Sequence, residues 1–216
     1  MSYNNILSFG DFIPLKITCD VSKLFDEIKE YKYSKYNPRT DIERYGLSIT
    51  SLDGELGGID LDSFKQYNEE HNTNFTERQF NKFTKVYEDS PEIQKLVKPF
   101  KKHIYRSHIL YIPKGGYFPP HRDIPQYVKN QPSFRVLIPL KNCNPHKLYF
   151  VYEDKILNFE HGRAYFLNTN NSFYQKCLDL ANFKPFKCEI EIHYASRANK
   201  GIDKTHAEYL KENNCL

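Results

Sequence analysis

Apolar side chains recur at helical spacing in three places before about residue 103. Val21, Leu24, Phe25 and Ile28 fall at i, i+3, i+4 and i+7, which predicts an amphipathic helix capped by Asp20 or Ser22. Ser90-Pro91-Glu92 supplies a cap, a proline at the first helical position and an acid in the first turn. The helix that follows carries Ile93, Leu96, Val97 and Phe100 on one face. Thr76 predicts the cap of another helix, with Phe80, Phe83 and Tyr87 along it. Residues 37–50 read as a short strand running into the turn Leu52-Asp53-Gly54. The first half therefore reads as mostly helical and loop.

From residue 104 the period changes. Short apolar alternations at 107–112, 117–120, 134–140, 147–152, 155–159, 163–167, 173–177 and 186–194 are separated by turn residues. The turns are Pro113-Lys114-Gly115-Gly116, Asn142-Cys143-Asn144-Pro145, Glu153-Asp154 and His161-Gly162. Evenly spaced short strands predict a sandwich or barrel. The expected fold is mainly β with N-terminal helices, a jelly roll in which the helices pack on one sheet. The expected organisation is a single compact domain: a mixed N-terminal part at 1–103, a β core at 104–200 and a helical tail at 201–216.

Composition narrows the class. The chain has 216 residues with 39% hydrophobic and 27% charged, and 33 aromatics made of 17 Tyr and 16 Phe without tryptophan. That is enough to bury a core without metal or disulfide staples. No apolar run approaches a membrane span, and Met1-Ser2-Tyr3-Asn4-Asn5 opens no secretory signal, so no membrane partner is expected. The five cysteines, at 19, 143, 177, 188 and 215, form no CxxC pair. An odd count without pairing predicts reduced thiols and a cytoplasmic setting. The net charge is +4 with scattered basic residues, so nucleic acid is not an expected partner.

The chemistry concentrates at Gly115-Gly116-Tyr117-Phe118-Pro119-Pro120-His121-Arg122-Asp123. On a strand, residues two apart point the same way, so His121 and Asp123 converge while Arg122 faces away. An imidazole and a carboxylate side by side are two thirds of a 2-His-1-carboxylate iron site. A kinase catalytic loop is excluded, because no phosphate loop precedes the triplet and Val128 stands where a kinase needs Asn. An ion pair among His121, Arg122 and Asp123 at a strand edge is the plain structural alternative.

Further segments follow in order. They are Arg106-Ser107-His108, the Gly115-Gly116 turn, Pro120-His121-Arg122-Asp123, Phe134-Arg135-Val136-Leu137-Ile138-Pro139-Leu140 and Gly162-Arg163-Ala164-Tyr165-Phe166-Leu167-Asn168-Thr169. Together they resemble the aspartyl/asparaginyl β-hydroxylase branch of the 2-oxoglutarate/Fe(II) dioxygenases, in particular small hydroxylase-like proteins of phages and marine bacteria. The resemblance covers roughly residues 104–194, and Arg44-Tyr45-Gly46-Leu47-Ser48 is similar to the family's N-terminal half.

The resemblance implies a double-stranded β-helix, of jelly-roll or cupin-like form, with Fe(II) and 2-oxoglutarate as cofactor and cosubstrate. It assigns His121 and Asp123 as metal ligands, and Arg135 and Lys187 to the cosubstrate. His108, by alternation on the strand before His121-Arg122-Asp123, is a further candidate to face the cavity and the cosubstrate. Lys187 falls where the family usually has arginine, so it would meet a carboxylate as a point charge rather than a fork. The family's distal histidine falls at Phe173, which cannot ligate a metal, and Leu137 stands where the family often has histidine. Gln175 and His193 are the alternative third ligands, and two protein ligands completed by water are another. The implied activity is hydroxylation of a peptide or amino-acid side chain. The competing reading is a degenerate member of the fold that binds a ligand or partner.

Overall fold

A computed structural model describes residues 8–114, 116–118, 133–143, 150–152, 155–168 and 189–195. Its elements are mostly short antiparallel strands with a few helices. The strands are β1 (Phe12–Thr18), β2 (Ser34–Lys35), β3 (Tyr45–Ser48), β4 (Thr50–Ser51), β5 (Lys82–Phe83), β6 (Ile104–Tyr111), β7 (Ser133–Pro139), β8 (Phe150–Tyr152), β9 (Lys155–Leu157), β10 (Arg163–Leu167) and β11 (Glu189–Ala195). The helices are α1 (Val21–Ile28), α2 (Phe64–His71), α3 (Lys85–Asp89) and α4 (Pro91–Val97).

The two helices with clear local signals form as expected. Asp20, rather than Ser22, caps α1, its Oδ1 accepting from the Ser22 and Lys23 amides at 3.1 and 3.2 Å. Ser90 caps α4 by accepting from the Ile93 amide at 3.2 Å, with Pro91 opening the helix. Glu27, near the end of α1, accepts from the Glu92 amide, and Glu92 accepts from the Asp20 amide, which ties the start of α4 to both ends of α1.

Three elements differ from what the sequence predicts, each for a physical reason. Thr76 does build a capping box with Gln79, but only one 3-10 turn follows, at Glu77–Gln79. Phe80 leaves that turn to stack on Phe64, with ring centroids 4.6 Å apart, and Lys82–Phe83 pairs with Thr50–Ser51 as strands. Helix α2 was not foreseen, because its exposed face is polar and its buried positions are only Phe64 and Asn68. Strand β1 was not foreseen either. Pro14 breaks its pattern, yet proline is tolerated on an edge strand, and among the described strands β1 pairs on one side only, with β10. The first half therefore contributes strands to the main sheet as well as helices.

The described strands form a seven-stranded sheet in the order β1-β10-β7-β11-β6-β3-β2, with β4-β5 and β8-β9 as separate pairs. Alternation gives this sheet two faces. One carries Leu47, Ile109, Val136, Ile138, Ala164 and Phe166 against Leu24, Ile28, Val86, Ile93, Leu96 and Val97 of the helices, and this is the main core. On the other face, Leu137 and Leu167 meet Phe150, Tyr152 and Leu157 of the β8-β9 hairpin.

The turn into β10 depends on Gly162. Its φ is +79°, and a Cβ there would lie 2.8 Å from the Cys19 carbonyl oxygen and 2.9 Å from a Val21 methyl. Its own amide and carbonyl are both used, by the Pro139 carbonyl at 2.7 Å and the Cys19 amide at 2.8 Å. Gly162→Ala is expected to lower stability by about 1–3 kcal/mol, since it combines left-handed backbone with overpacking. A urea midpoint unchanged at constant m would contradict this reading.

Candidate functional site

The polar part of the sheet lies opposite the helix-packed face, on β6, β3 and β7. His108 is fully buried in β6, where it is the register partner of Ser48 in β3 and of Glu191 in β11. Its ring lies 5.4 Å from that of Tyr36, which also meets Phe118 at 5.5 Å. The Arg44 guanidinium, itself buried, sits over Phe118 at 4.4 Å and over Tyr36 at 5.3 Å. Burial, then the Arg106 and Arg135 guanidiniums, hold the His108 imidazole well below its ordinary range. His108 is therefore neutral at working pH, in surroundings whose fixed charge is positive.

Arg106 organises the neighbouring loop. Its Nε donates to the Asp60 carbonyl at 2.7 Å, its Nη2 to the Asp62 carbonyl at 2.9 Å and its Nη1 to Glu77 at 3.1 Å. The guanidinium also lies 4.1 Å from the Phe64 ring centroid. Its backbone has φ +26°, a left-handed position in a strand, near an irregularity in the β11 register. Arg39 grips Asp62 with a fork, Nε to Oδ1 and Nη2 to Oδ2 both at 2.9 Å, and also bonds Glu70. Ser48 donates to Asp60 Oδ1 at 2.8 Å. No sequence pattern pointed to Asp60, Asp62 or Arg39, because their partners are far along the chain, and Ser48 stood out only as the last residue of Arg44-Tyr45-Gly46-Leu47-Ser48. Arg106 entered the sequence reading only through the Arg106-Ser107-His108 motif.

The sequence-derived candidates fall in several places. His121, Asp123, Phe173, Gln175 and Lys187 lie outside the described residues. Arg135 is half-buried in β7, and its register partners are Leu167 in β10 and His193 in β11. Leu137 is buried among Phe150, Tyr152, Leu157 and Leu167. His161 accepts from the Cys143 amide at 3.1 Å, which gives it a part in the 141–143 turn. Phe118 is buried and Tyr117 exposed. Among the described residues, no three His, Cys, Asp or Glu converge as a metal-holding group. Burial pushes the Cys19 thiol up to about 12, so it is a poor nucleophile. No helix among the described residues is long and apolar enough to cross a membrane.

No family model matches the chain, and no curated protein does. Among solved structures, it is similar to a Pseudomonas putida prolyl-4-hydroxylase at a TM-score of 0.47 and 10% identity, over 90% of this chain and 97% of that one. A prolyl hydroxylase of Trichoplax adhaerens, in complex with a hypoxia inducible factor oxygen degradation domain peptide, is similar at a TM-score of 0.45 and 11% identity, over 94% and 89%. IDO from Bacillus thuringiensis is similar at a TM-score of 0.44 and 12% identity, over 90% and 97%.

Proposed function

We propose that the protein is a 2-oxoglutarate- and Fe(II)-dependent oxygenase of the hydroxylase type, acting on a peptide or amino-acid side chain. The observation that carries the reading is the route of the chain through the sheet. β6, β11, β7 and β10 lie side by side, yet none of these spatial neighbours is consecutive in the chain. Neighbours that are never consecutive, with the β8-β9 pair standing between β7 and β10 in the chain and packed on the face opposite the helices, are what a jelly roll, and hence a double-stranded β-helix, requires. His121 and Asp123 fall between β6 and β7 in the sequence, and Phe173 and Gln175 between β10 and β11.

The donor chemistry fits the proposed groups. An imidazole and a carboxylate suit Fe(II), with Gln175 or His193 supplying a third oxygen or nitrogen donor. The positive surroundings of Arg106 and Arg135 suit an anionic cosubstrate, for which Arg135, Lys187 and His108 are the proposed contacts. Held neutral, His108 can donate one hydrogen bond and accept another at its ring nitrogens, without adding charge. Bound there, iron and 2-oxoglutarate would supply the oxidising power for hydroxylation, with succinate and carbon dioxide as coproducts. The protein's own share is to orient the cosubstrate carboxylate and to keep water away from the buried face. Phe173, at the position of the family's distal histidine, favours a second reading, a degenerate member that binds a ligand or partner.

Anaerobic addition of Fe(II) and 2-oxoglutarate is expected to give a weak visible charge-transfer band, and oxygen to release succinate. His121→Ala should reduce both to background, and Phe173→His should raise iron affinity. Neither band nor succinate in the unaltered protein would leave the binding-module reading in its place.

A further inference from the structure

The loop between β4 and α2 places a carboxylic acid where water does not reach. Asp60 is 1% exposed, at the centre of the 3-10 turn Ile59–Leu61. Its Oδ1 accepts a single bond, from the Ser48 hydroxyl at 2.8 Å, and its buried Oδ2 has no hydrogen-bond partner. The nearby cation does not serve it. All three Arg106 nitrogens that bond here are directed to the Asp60 carbonyl, the Asp62 carbonyl and Glu77. An ionised carboxylate with one donor and a bare oxygen is costly to bury, whereas the protonated acid is not.

We propose that the turn spanning residues 58–62 is a pH-sensitive latch, docked on β3 and β6 while the Asp60 carboxyl is protonated and loosened when it ionises.

The charged groups around Asp60 act in both directions. Arg106 on β6 favours the ionised form, as does the Ser48 bond from β3, while Asp53 beyond β4 disfavours it. His108 on β6 is neutral and adds no charge. Asp62 is engaged by Arg39, and Glu77 by Arg106, so each is balanced by its own partner. Burial outweighs the rest and pushes the Asp60 carboxyl up to about 6 from 3.8. Between those two pH values the docked turn holds more protons than the open one. Docking therefore weakens as pH rises through this window, is fully penalised above about 6 and carries no penalty below 3.8.

Carbon-13 NMR titration of the Asp60 carboxyl is expected to give a midpoint near 6. Amide exchange at Leu61 and Asp62, whose N–H groups close the turn, should report an opening constant roughly tenfold larger at pH 7 than at pH 5, after correction for intrinsic exchange. Asp60→Asn keeps an acceptor for Ser48 without the charge, and should abolish that pH dependence. Ser48→Ala removes the largest of the influences that favour ionisation, and should raise the midpoint. A midpoint near 4, opening that ignores pH, or an Asp60→Asn protein with the same pH dependence would each overturn the latch. Should Asp60→Asn fail to fold, the titration of the unaltered protein decides alone.

Discussion

Arg106→Ala is expected to cost about 3–4 kcal/mol of folding stability. The side chain is only 12% exposed and closes the 58–62 turn onto β6 through two carbonyls 44 and 46 residues away in the chain. Alanine leaves the Asp60 and Asp62 carbonyls without that donor and uncovers the face of Phe64. The ion pair itself contributes little of this total, because Glu77 is 42% exposed and screened by water. The loss comes from unsatisfied buried carbonyls. Arg106→Lys keeps the charge but not the fork, so it should recover less than half of the difference. Removing Arg106 also takes away the second cause of the His108 depression, so the His108 titration should move upward. Urea midpoints at constant m, with histidine proton NMR, check both parts. A loss under about 1 kcal/mol would mean that the turn is held by Arg39 and Ser48 instead.

Gly116→Ala is expected to be nearly as damaging. A Cβ there would stand 2.2 Å from the Glu43 carbonyl oxygen, 2.9 Å from an Ile112 methyl and 3.1 Å from the Pro113 carbonyl oxygen. Two of these three are backbone atoms, which cannot rotate away, so the turn itself must move. The expected cost is about 1–3 kcal/mol or more. Its consequence reaches the aromatic cluster, because Phe118 lies two residues on, between Arg44 and Tyr36. Loosened packing there should appear as faster amide exchange at Phe118 and Tyr36, and as altered Tyr36 ring signals. On the oxygenase reading, iron affinity falls in the same variant, because the Phe118 segment leads directly into His121. A variant with unchanged stability and unchanged exchange would show that Glu43 yields without consequence.

The elements legible in the sequence are those whose signals act within one or two turns of chain. The spacing of Val21, Leu24, Phe25 and Ile28, and the pair Ser90-Pro91, act through hydrogen bonds and contacts four residues apart or fewer. The alternation in β6, β7 and β10 matches the two faces of the sheet for the same reason. The Thr76 signal was equally local and correctly read as a cap. The element it begins was decided elsewhere, by Phe80 packing on Phe64 and by Lys82–Phe83 pairing with β4. β1 was hidden by Pro14, whose meaning depends on an edge position that no local pattern reveals.

The candidate chemistry divides in the same way. His121 and Asp123 stand out in the sequence through their spacing of two, and their pairing and roles are part of the proposal. The arrangement of Arg106, Asp60, Ser48 and His108 was not visible as a set. Its members come from β3, β6 and the loop after β4, and which charge meets which partner depends on loops that only the folded sheet brings together. Sequence alone therefore determined the amphipathic helices at 21–28 and 91–97, their caps and the change from helical to strand period near residue 104. The tertiary structure alone decided the strand order, the neutral state of His108 and the raised carboxyl of Asp60. The physical reason is that periodicity and capping are set by neighbouring residues, whereas burial and long-range Coulomb interactions are properties of the packed molecule.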